Sequence, residues 1–225
     1  MRFIYLPLAI ITFSLFISSC KKDSEPVTPG PAEYVKLDPG NYWLYQSFLV
    51  DSTGHGGPGS FNGSTIYYDS IYVEKDTVIG AYTYHKLMTP TDLGSKTYQS
   101  SYVRDSLKWE VGLGGQMILA PFDYATIFRT RTIDASTFSA DSAVRQDIQM
   151  AHKNVAINTP AGVFETISMA TSWTFFPYAA QRKSPYTRTQ YTRYAAGVGM
   201  VSQTMPIYAA NPNYAERRLL RYYVK

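Results

Sequence analysis

Short runs of alternating apolar and polar residues follow one another along most of the chain. Such alternation is typical of β-strands, whose successive side chains point to opposite faces. Turn residues separate the runs about every 8–12 positions, a spacing typical of sandwiches and barrels. The pattern predicts a single all-β domain, rich in antiparallel sheet, with about ten to twelve strands arranged as a sandwich or a barrel-like sheet. We expect a curved half-barrel or a barrel, with at most one or two short helices.

The first predicted strand, residues 41–50 (NYWLYQSFLV), is apolar on both faces. That pattern is typical of a central strand or one inside a barrel. A short helix is predicted over 137–147. Further strands are predicted over 65–89 with a turn at Gly80, 96–111 with a turn at Asp105 and Ser106, 117–120, 124–133, 149–175 with a turn at 160–162, 186–194, 199–208 and 216–224.

The amino-terminal segment has a different pattern. Arg2 precedes a mainly apolar run over residues 3–17, about 15 residues against the roughly 20 that a helix needs to cross a membrane. This predicts a cleaved signal peptide over residues 1–19. Small residues then precede Cys20, which resembles the lipobox, where a bacterial peptidase cuts before a lipid-modified cysteine. An ordinary secretory peptide ending near a cysteine is the alternative.

Cys20 is the sole cysteine in the sequence. An exported protein with one thiol cannot form an internal disulfide, whereas acylation explains the residue. Two acyl chains such as palmitate are enough for stable anchoring, so we expect Cys20 to be lipidated and to bind the membrane. Residues 20–33 are rich in Pro, Gly and charge and are predicted to be a flexible, extended linker. Residues 34–225 then form a single β-rich domain.

Basic residues are concentrated near the carboxyl end. Residues 181–225 hold eight Lys and Arg but one acidic residue, and tyrosines are interleaved with the arginines. Because Arg binds carboxylate and phosphate in a bidentate way, five arginines are candidates for binding an anionic ligand. Outside the cytoplasm this favours anionic glycan, lipopolysaccharide or lipid headgroup over nucleic acid. Solvated strand faces, with Arg stems covering aromatic rings, are the alternative. The candidates are Arg188, Arg193, Arg217, Arg218 and Arg221.

Histidines offer no metal site. His55, His85 and His152 are far apart in sequence and match no short ligand spacing, and we expect the latter two on exposed strand faces. The sequence also has no nucleophile elbow, phosphate-binding loop or calcium loop. No metal or cofactor is therefore predicted.

Two pairs of carboxylates could form an acid–base couple, Asp69 with Glu74 and Asp105 with Glu110. Glycoside hydrolysis uses two such groups about 5–10 Å apart in a cleft. We expect these side chains instead on open strand faces, where charged residues are usually solvated.

Three stretches, 37–45 (LDPGNYWLY), 159–164 (TPAGVF) and 194–201 (YAAGVGMV), resemble uncharacterised outer-membrane lipoproteins of Bacteroidota. The resemblance spans most of residues 34–225 and contains no catalytic residue. Such proteins are similar in outline to the LolA/LolB class, in which a curved antiparallel sheet wraps a hydrophobic cavity, sometimes plugged by a helix. The resemblance implies a lipid anchor in the outer membrane.

Together these features predict a non-enzymatic, lipid-anchored envelope protein that binds a ligand or a partner. A lipid, an anionic glycan and an envelope protein are the partners considered. A glycan-directed hydrolase and a structural or adhesive surface protein are the alternatives. The mixed charges of residues 21–25 (KKDSE) leave open whether the domain faces the periplasm or the cell surface.

Overall fold

Antiparallel strands build the described part of the chain. The computed structural model describes residues 34–51, 56–59, 66–106, 109–134, 143–176, 188–205 and 213–225. The expected all-β class is confirmed. The strands are β1 (Tyr42–Val50), β2 (Gly56–Pro58), β3 (Tyr68–Ile79), β4 (Tyr82–Pro90), β5 (Tyr98–Ser106), β6 (Trp109–Gly112), β7 (Met117–Leu119), β8 (Arg129–Asp134), β9 (Ala143–Thr159), β10 (Gly162–Phe175), β11 (Gln190–Ala195), β12 (Gly199–Thr204) and β13 (Tyr214–Tyr223).

Two meanders meet at β1 to form one sheet. The strand order is β7-β6-β5-β4-β3-β1-β13-β12-β11-β10-β9-β8, and β2 pairs with β1 outside this path. β1 therefore has a long neighbour on each side, with Tyr42 opposite both Tyr72 and Tyr223. This confirms the central position predicted from its apolar pattern.

Side-chain packing brings the two ends of the sheet together. β7 and β8 end the hydrogen-bonded order, yet Leu119 and Ala120 at β7 belong to the same buried cluster as Ile148 of β9 and Ile167 of β10. The sheet therefore curves into a nearly closed barrel. We call the gap between β7 and β8 the seam.

Some predicted boundaries need correction. Residues 124–128 are not in a strand, and β8 begins at Arg129. The predicted helix is wrong over 143–147, which start β9, because these residues pair with β8 as well as with β10. The rest of that predicted helix, 137–142, lies outside the described residues. So do the predicted signal peptide, the linker and Cys20, and those predictions stay as stated. Within the described ranges, no helix is long and apolar enough to cross a membrane.

One end of the barrel interior is packed around Trp43 of β1. Its indole Nε1 donates a hydrogen bond of 2.6 Å to the carbonyl oxygen of Val198. Gly199 follows with φ +107°, and a Cβ built there would lie 3.0 Å from the same Nε1. Glycine is needed here because the backbone conformation excludes most side chains and the ring leaves no room. This close contact holds the β11–β12 turn against β1.

Candidate functional site

A small apolar cavity lies inside the barrel. Its volume is about 110 Å³, somewhat less than the roughly 150 Å³ of an engineered cavity that stays dry and binds benzene. Side chains from both meanders and from the segment before β1 surround it. The lining residues are Val35, Leu37, Trp43, Tyr45, Ile71, Leu87, Val103, Glu110, Ile118, Tyr194, Gly199 and Met200.

Glu110 is the one carboxyl group in this lining. The residue is 2% exposed, and its Oε1 has no hydrogen-bond partner among the described residues. Burial raises the pKa of Glu110 well above its usual range, and the nearby Asp105 carboxyl raises it further. Burial therefore favours the protonated form of the side chain, whose O–H can donate a hydrogen bond.

Strand register explains why Glu110 faces inward. Asp105 of β5 lies directly opposite Glu110 of β6, and opposite residues of an antiparallel pair project to the same face. Val103, two residues before Asp105, is buried in the cavity wall. Asp105 is exposed at the end of β5; the partial burial of its carboxyl raises its pKa, whereas His85 lowers it. Two carboxyl groups thus share the inner face at this end of β5 and β6.

The other polar groups of the cavity wall are better satisfied. The Tyr45 hydroxyl donates a hydrogen bond of 2.9 Å to the carbonyl oxygen of Met200, and the Trp43 indole bonds to Val198 as described. Burial raises the pKa of Tyr194, the neighbouring Glu110 raises it further, and Arg129 lowers it. Because the ordinary pKa of Tyr is already about 10, the Tyr194 hydroxyl is neutral at neutral pH. The cavity thus offers apolar walls and one unpartnered carboxyl oxygen.

The two carboxylate pairs predicted from the sequence differ in whether the structure brings their members together. Asp69 is buried and accepts a hydrogen bond of 2.5 Å from the Gly94 amide, whereas Glu74 is exposed and pairs with Lys86 at 2.7 Å. Asp105 and Glu110 do lie together. The expectation of open strand faces is wrong for Asp69 and Glu110, because both point into the barrel.

The five candidate arginines do not form one surface. Arg193 and Arg218 flank Glu216 at 3.2 and 3.0 Å, and Arg217 points inward, 3.9 Å from Asp69. Arg188 lies over the Tyr214 ring at 4.5 Å. Arg221 is exposed. An anionic ligand at these residues stays a prediction.

The histidines are also separated. His85 is partly buried and its Nδ1 lies 2.8 Å from the Asp76 carboxylate, whereas His152 is exposed and packs on the Tyr191 ring. His55 lies outside the described residues. Among the residues that the structure describes, no group of three or more His, Cys, Asp or Glu is placed to hold a metal.

Sequence reasoning named Glu110 only as half of a carboxylate pair and missed its position in a cavity. The available signal was its place between Trp109 and Val111 in a short strand. A charged residue flanked by large apolar ones can face either side of a sheet, so alternation alone does not settle its burial.

Comparisons with known proteins found two solved structures that are similar to this chain over most of its length. One is described as a "putative exported protein with YmcC-like fold" from Bacteroides fragilis, with 12% identity and a TM-score of 0.42, covering 84% of this chain and 98% of the other. The second is described as a "putative lipoprotein" from Parabacteroides distasonis, with 12% identity and a TM-score of 0.40, covering 84% of this chain and 97% of the other. Both similarities are too low to indicate a shared function. No protein-family model and no curated protein matches the chain.

Proposed function

We propose that this protein is a lipid-anchored protein of the outer membrane that binds an apolar ligand inside its barrel, without catalysis. The leader and Cys20 support the location, and the domain's function is to hold the ligand. The observation that carries the proposal is the apolar cavity with the unpartnered Oε1 of Glu110 in its wall. A buried polar atom without a partner costs about 1–3 kcal/mol, and a ligand oxygen would remove that cost.

The expected ligand follows from the lining. Apolar walls favour an alkyl or ring group, and a neutral carboxyl donates to a hydroxyl, ether or carbonyl oxygen. The cavity volume of about 110 Å³ accommodates only the inner part of such a molecule. A lipid-like molecule with an oxygen near the inserted group fits both features.

A direct test measures binding of decanol, which is uncharged, to the mature chain (residues 20–225) with Cys20→Ser. We expect calorimetry to show saturable binding with a negative heat-capacity change, the mark of apolar burial. Leu87→Phe fills the cavity and should weaken binding about tenfold or more. Leu113→Phe, at an exposed turn, is the matched control and should bind like the parent.

Two outcomes would overturn the proposal. One is no measurable decanol binding by the parent chain, and the other is equal binding by the parent and Leu87→Phe. Circular dichroism checks the fold of each variant. If Leu87→Phe does not fold, Val103→Ile adds a single methylene to the same wall and should weaken binding by a smaller factor.

One observation favours a second candidate, a glycan-directed hydrolase. Asp105 and Glu110 are directly opposite in the ladder, and glycosidases use two carboxyl groups of different protonation state. The predominantly apolar lining favours a lipid-like ligand over a sugar. Hydrolysis of envelope glycans that disappears in Glu110→Gln would favour the hydrolase instead.

A further inference from the structure

The seam contains a second, polar pocket. Its volume is about 470 Å³, and β7 and β8 border it with sheet edges that do not pair with each other. Such edges present unpaired backbone N–H and C=O groups. The lining residues are Gln116, Arg129, Thr130, Arg131, Gln146 and Ile148.

Two arginines of β8 face the same side in this pocket. Arg129 lies opposite Ile148, and Arg131 lies opposite Gln146. Because Ile148 is buried in the barrel, the register places both arginine side chains on the inner face, with Arg129 half-buried and Arg131 exposed at the open seam. Burial lowers the pKa of Arg129, Arg131 lowers it further, and Tyr194 opposes them. Both groups keep their charge, since Arg stays protonated in proteins.

No carboxylate in the pocket lining balances these two charges. Asp147 is adjacent in the ladder, but it accepts hydrogen bonds from Thr130 and Arg145. Over the described ranges, neither Arg129 nor Arg131 has an ion pair, whereas Arg193 and Arg218 share Glu216. Two neighbouring cations, one of them half-buried, favour an anion between them.

The seam pocket and the apolar cavity are neighbours at β7, because Gln116 lines the first and Ile118, two residues later, lines the second. Tyr194 lines the cavity and packs against the buried cluster that contains Ile148, which also lines the seam pocket. The cavity is too small for a long chain, so a bound amphiphile must continue beyond it. The seam pocket, about 470 Å³, provides the space and the charge for a polar end.

We propose that the seam binds the anionic group of an amphiphile, a carboxylate or a phosphate, through Arg129 and Arg131 while its alkyl part occupies the cavity. This inference rests on the proposed function and adds the charge of the ligand. Arg guanidinium groups bind both anions in a bidentate way. A fatty acid and a phosphorylated lipid share this chemistry.

The experiment compares decanoate, decyl phosphate and decanol on the mature chain with Cys20→Ser. We expect decanoate or decyl phosphate to bind about tenfold more tightly than decanol. The double variant Arg129→Gln with Arg131→Gln should lose that advantage and still bind decanol like the parent. Lys96→Gln removes an exposed cation elsewhere and should change nothing. The tighter of the two anions distinguishes a carboxylate from a phosphate site.

Equal affinity of the parent and the double variant for both anions would overturn the seam proposal. If the double variant does not fold, Arg131→Gln alone takes its place in the experiment, because Arg131 is exposed. Raising NaCl from about 0.05 to about 0.5 M should then weaken anion binding and leave decanol binding unchanged, because salt screens exposed charges. A salt-independent preference would contradict the inference.

Failure of the two proposals can be told apart. If decanol binds and the anions bind no better, the cavity function stands and the seam inference fails. If decanol does not bind, the cavity function fails. Inorganic phosphate then tests the seam alone: binding that the double variant loses supports an anion site, and no binding overturns it.

Discussion

Two buried glutamates of this barrel have opposite surroundings. Glu110 and Glu216 are each 2% exposed. Glu216 lies between Arg193 and Arg218, with contacts of 3.2 and 3.0 Å. Glu110 has apolar neighbours, a second acidic residue, Asp105, opposite it, and no cation partner among the described residues. The difference shows that the fold pairs one buried acid with cations and leaves the other without a cation among the described residues.

The comparison also explains how each site tolerates burial. An isolated buried carboxylate is expensive, so it must be paired or hold a proton. Glu216 is paired, and removing it would leave two arginines without their acid. For Glu110, burial favours the protonated form instead, because it raises the pKa of the carboxyl group. A paired site is already occupied by protein groups, whereas a neutral, unpartnered acid can still bond to something else.

The largest expected effect is at Glu216. Glu216→Gln removes the shared partner of Arg193 and Arg218 and should lower the free energy of unfolding by about 3–5 kcal/mol, the usual cost of breaking a buried ion pair. Urea denaturation at neutral pH measures it. Glu165→Gln, at an exposed position, should stay within about 0.5 kcal/mol of the parent. A Glu216→Gln variant as stable as Glu165→Gln would show that the two buried sites do not differ.

An intermediate effect is expected at Glu110, and it depends on pH. The folded state holds the Glu110 proton more tightly than the unfolded state, since the pKa is raised in the fold. The resulting stability is fully present below the unfolded value of about 4.3 and is lost as pH rises towards the folded pKa. Glu110→Gln keeps the shape of the side chain but removes the group that titrates.

The stability of Glu110→Gln relative to the parent should therefore increase as pH rises from about 4 to about 8. Urea denaturation of both proteins at several pH values measures the difference, and Glu165→Gln controls for the loss of one acidic group. A relative stability that stays constant or falls with pH would mean that Glu110 is not a buried, proton-holding acid.

The smallest effect is expected at Arg221. This residue is exposed, unlike Arg193 and Arg218, which contact Glu216. Arg221→Gln should change the free energy of unfolding by less than about 0.5 kcal/mol, as for most surface substitutions. A loss of unfolding free energy several times larger would show that contacts other than those of Glu216 also stabilise the basic carboxyl-terminal strand.

Local patterns predicted much of this fold. An apolar pattern on both faces identified β1 as central, and turn residues located the hairpins at Gly80 and at 160–162, because both signals depend on neighbours in sequence. The helix over 137–147 failed where β9 begins. There the polar side chains of Arg145 and Asp147 suited a helix surface, yet Asp147 is fixed by Thr130 across the ladder. A partner 17 residues away in sequence is invisible to a local pattern.

The site was less predictable for the same reason. Composition located the basic carboxyl-terminal segment, but it could not show that Glu216 compensates Arg193, which lies 23 residues away in sequence. Arg129 and Arg131 are two cations in an ordinary polar run of the sequence. What distinguishes them is the inward register of β8 and a described pocket lining that has no carboxylate, and both are properties of the folded barrel.

The most direct test of a ligand inside the barrel is a crystal structure of the mature chain with 10-bromodecanoate. We expect an anomalous bromine peak in the cavity beside Leu87, Val103 and Glu110, with the carboxylate towards Arg129. Bromine peaks confined to the outer surface, with the cavity empty at saturating ligand, would contradict a binding function for this interior.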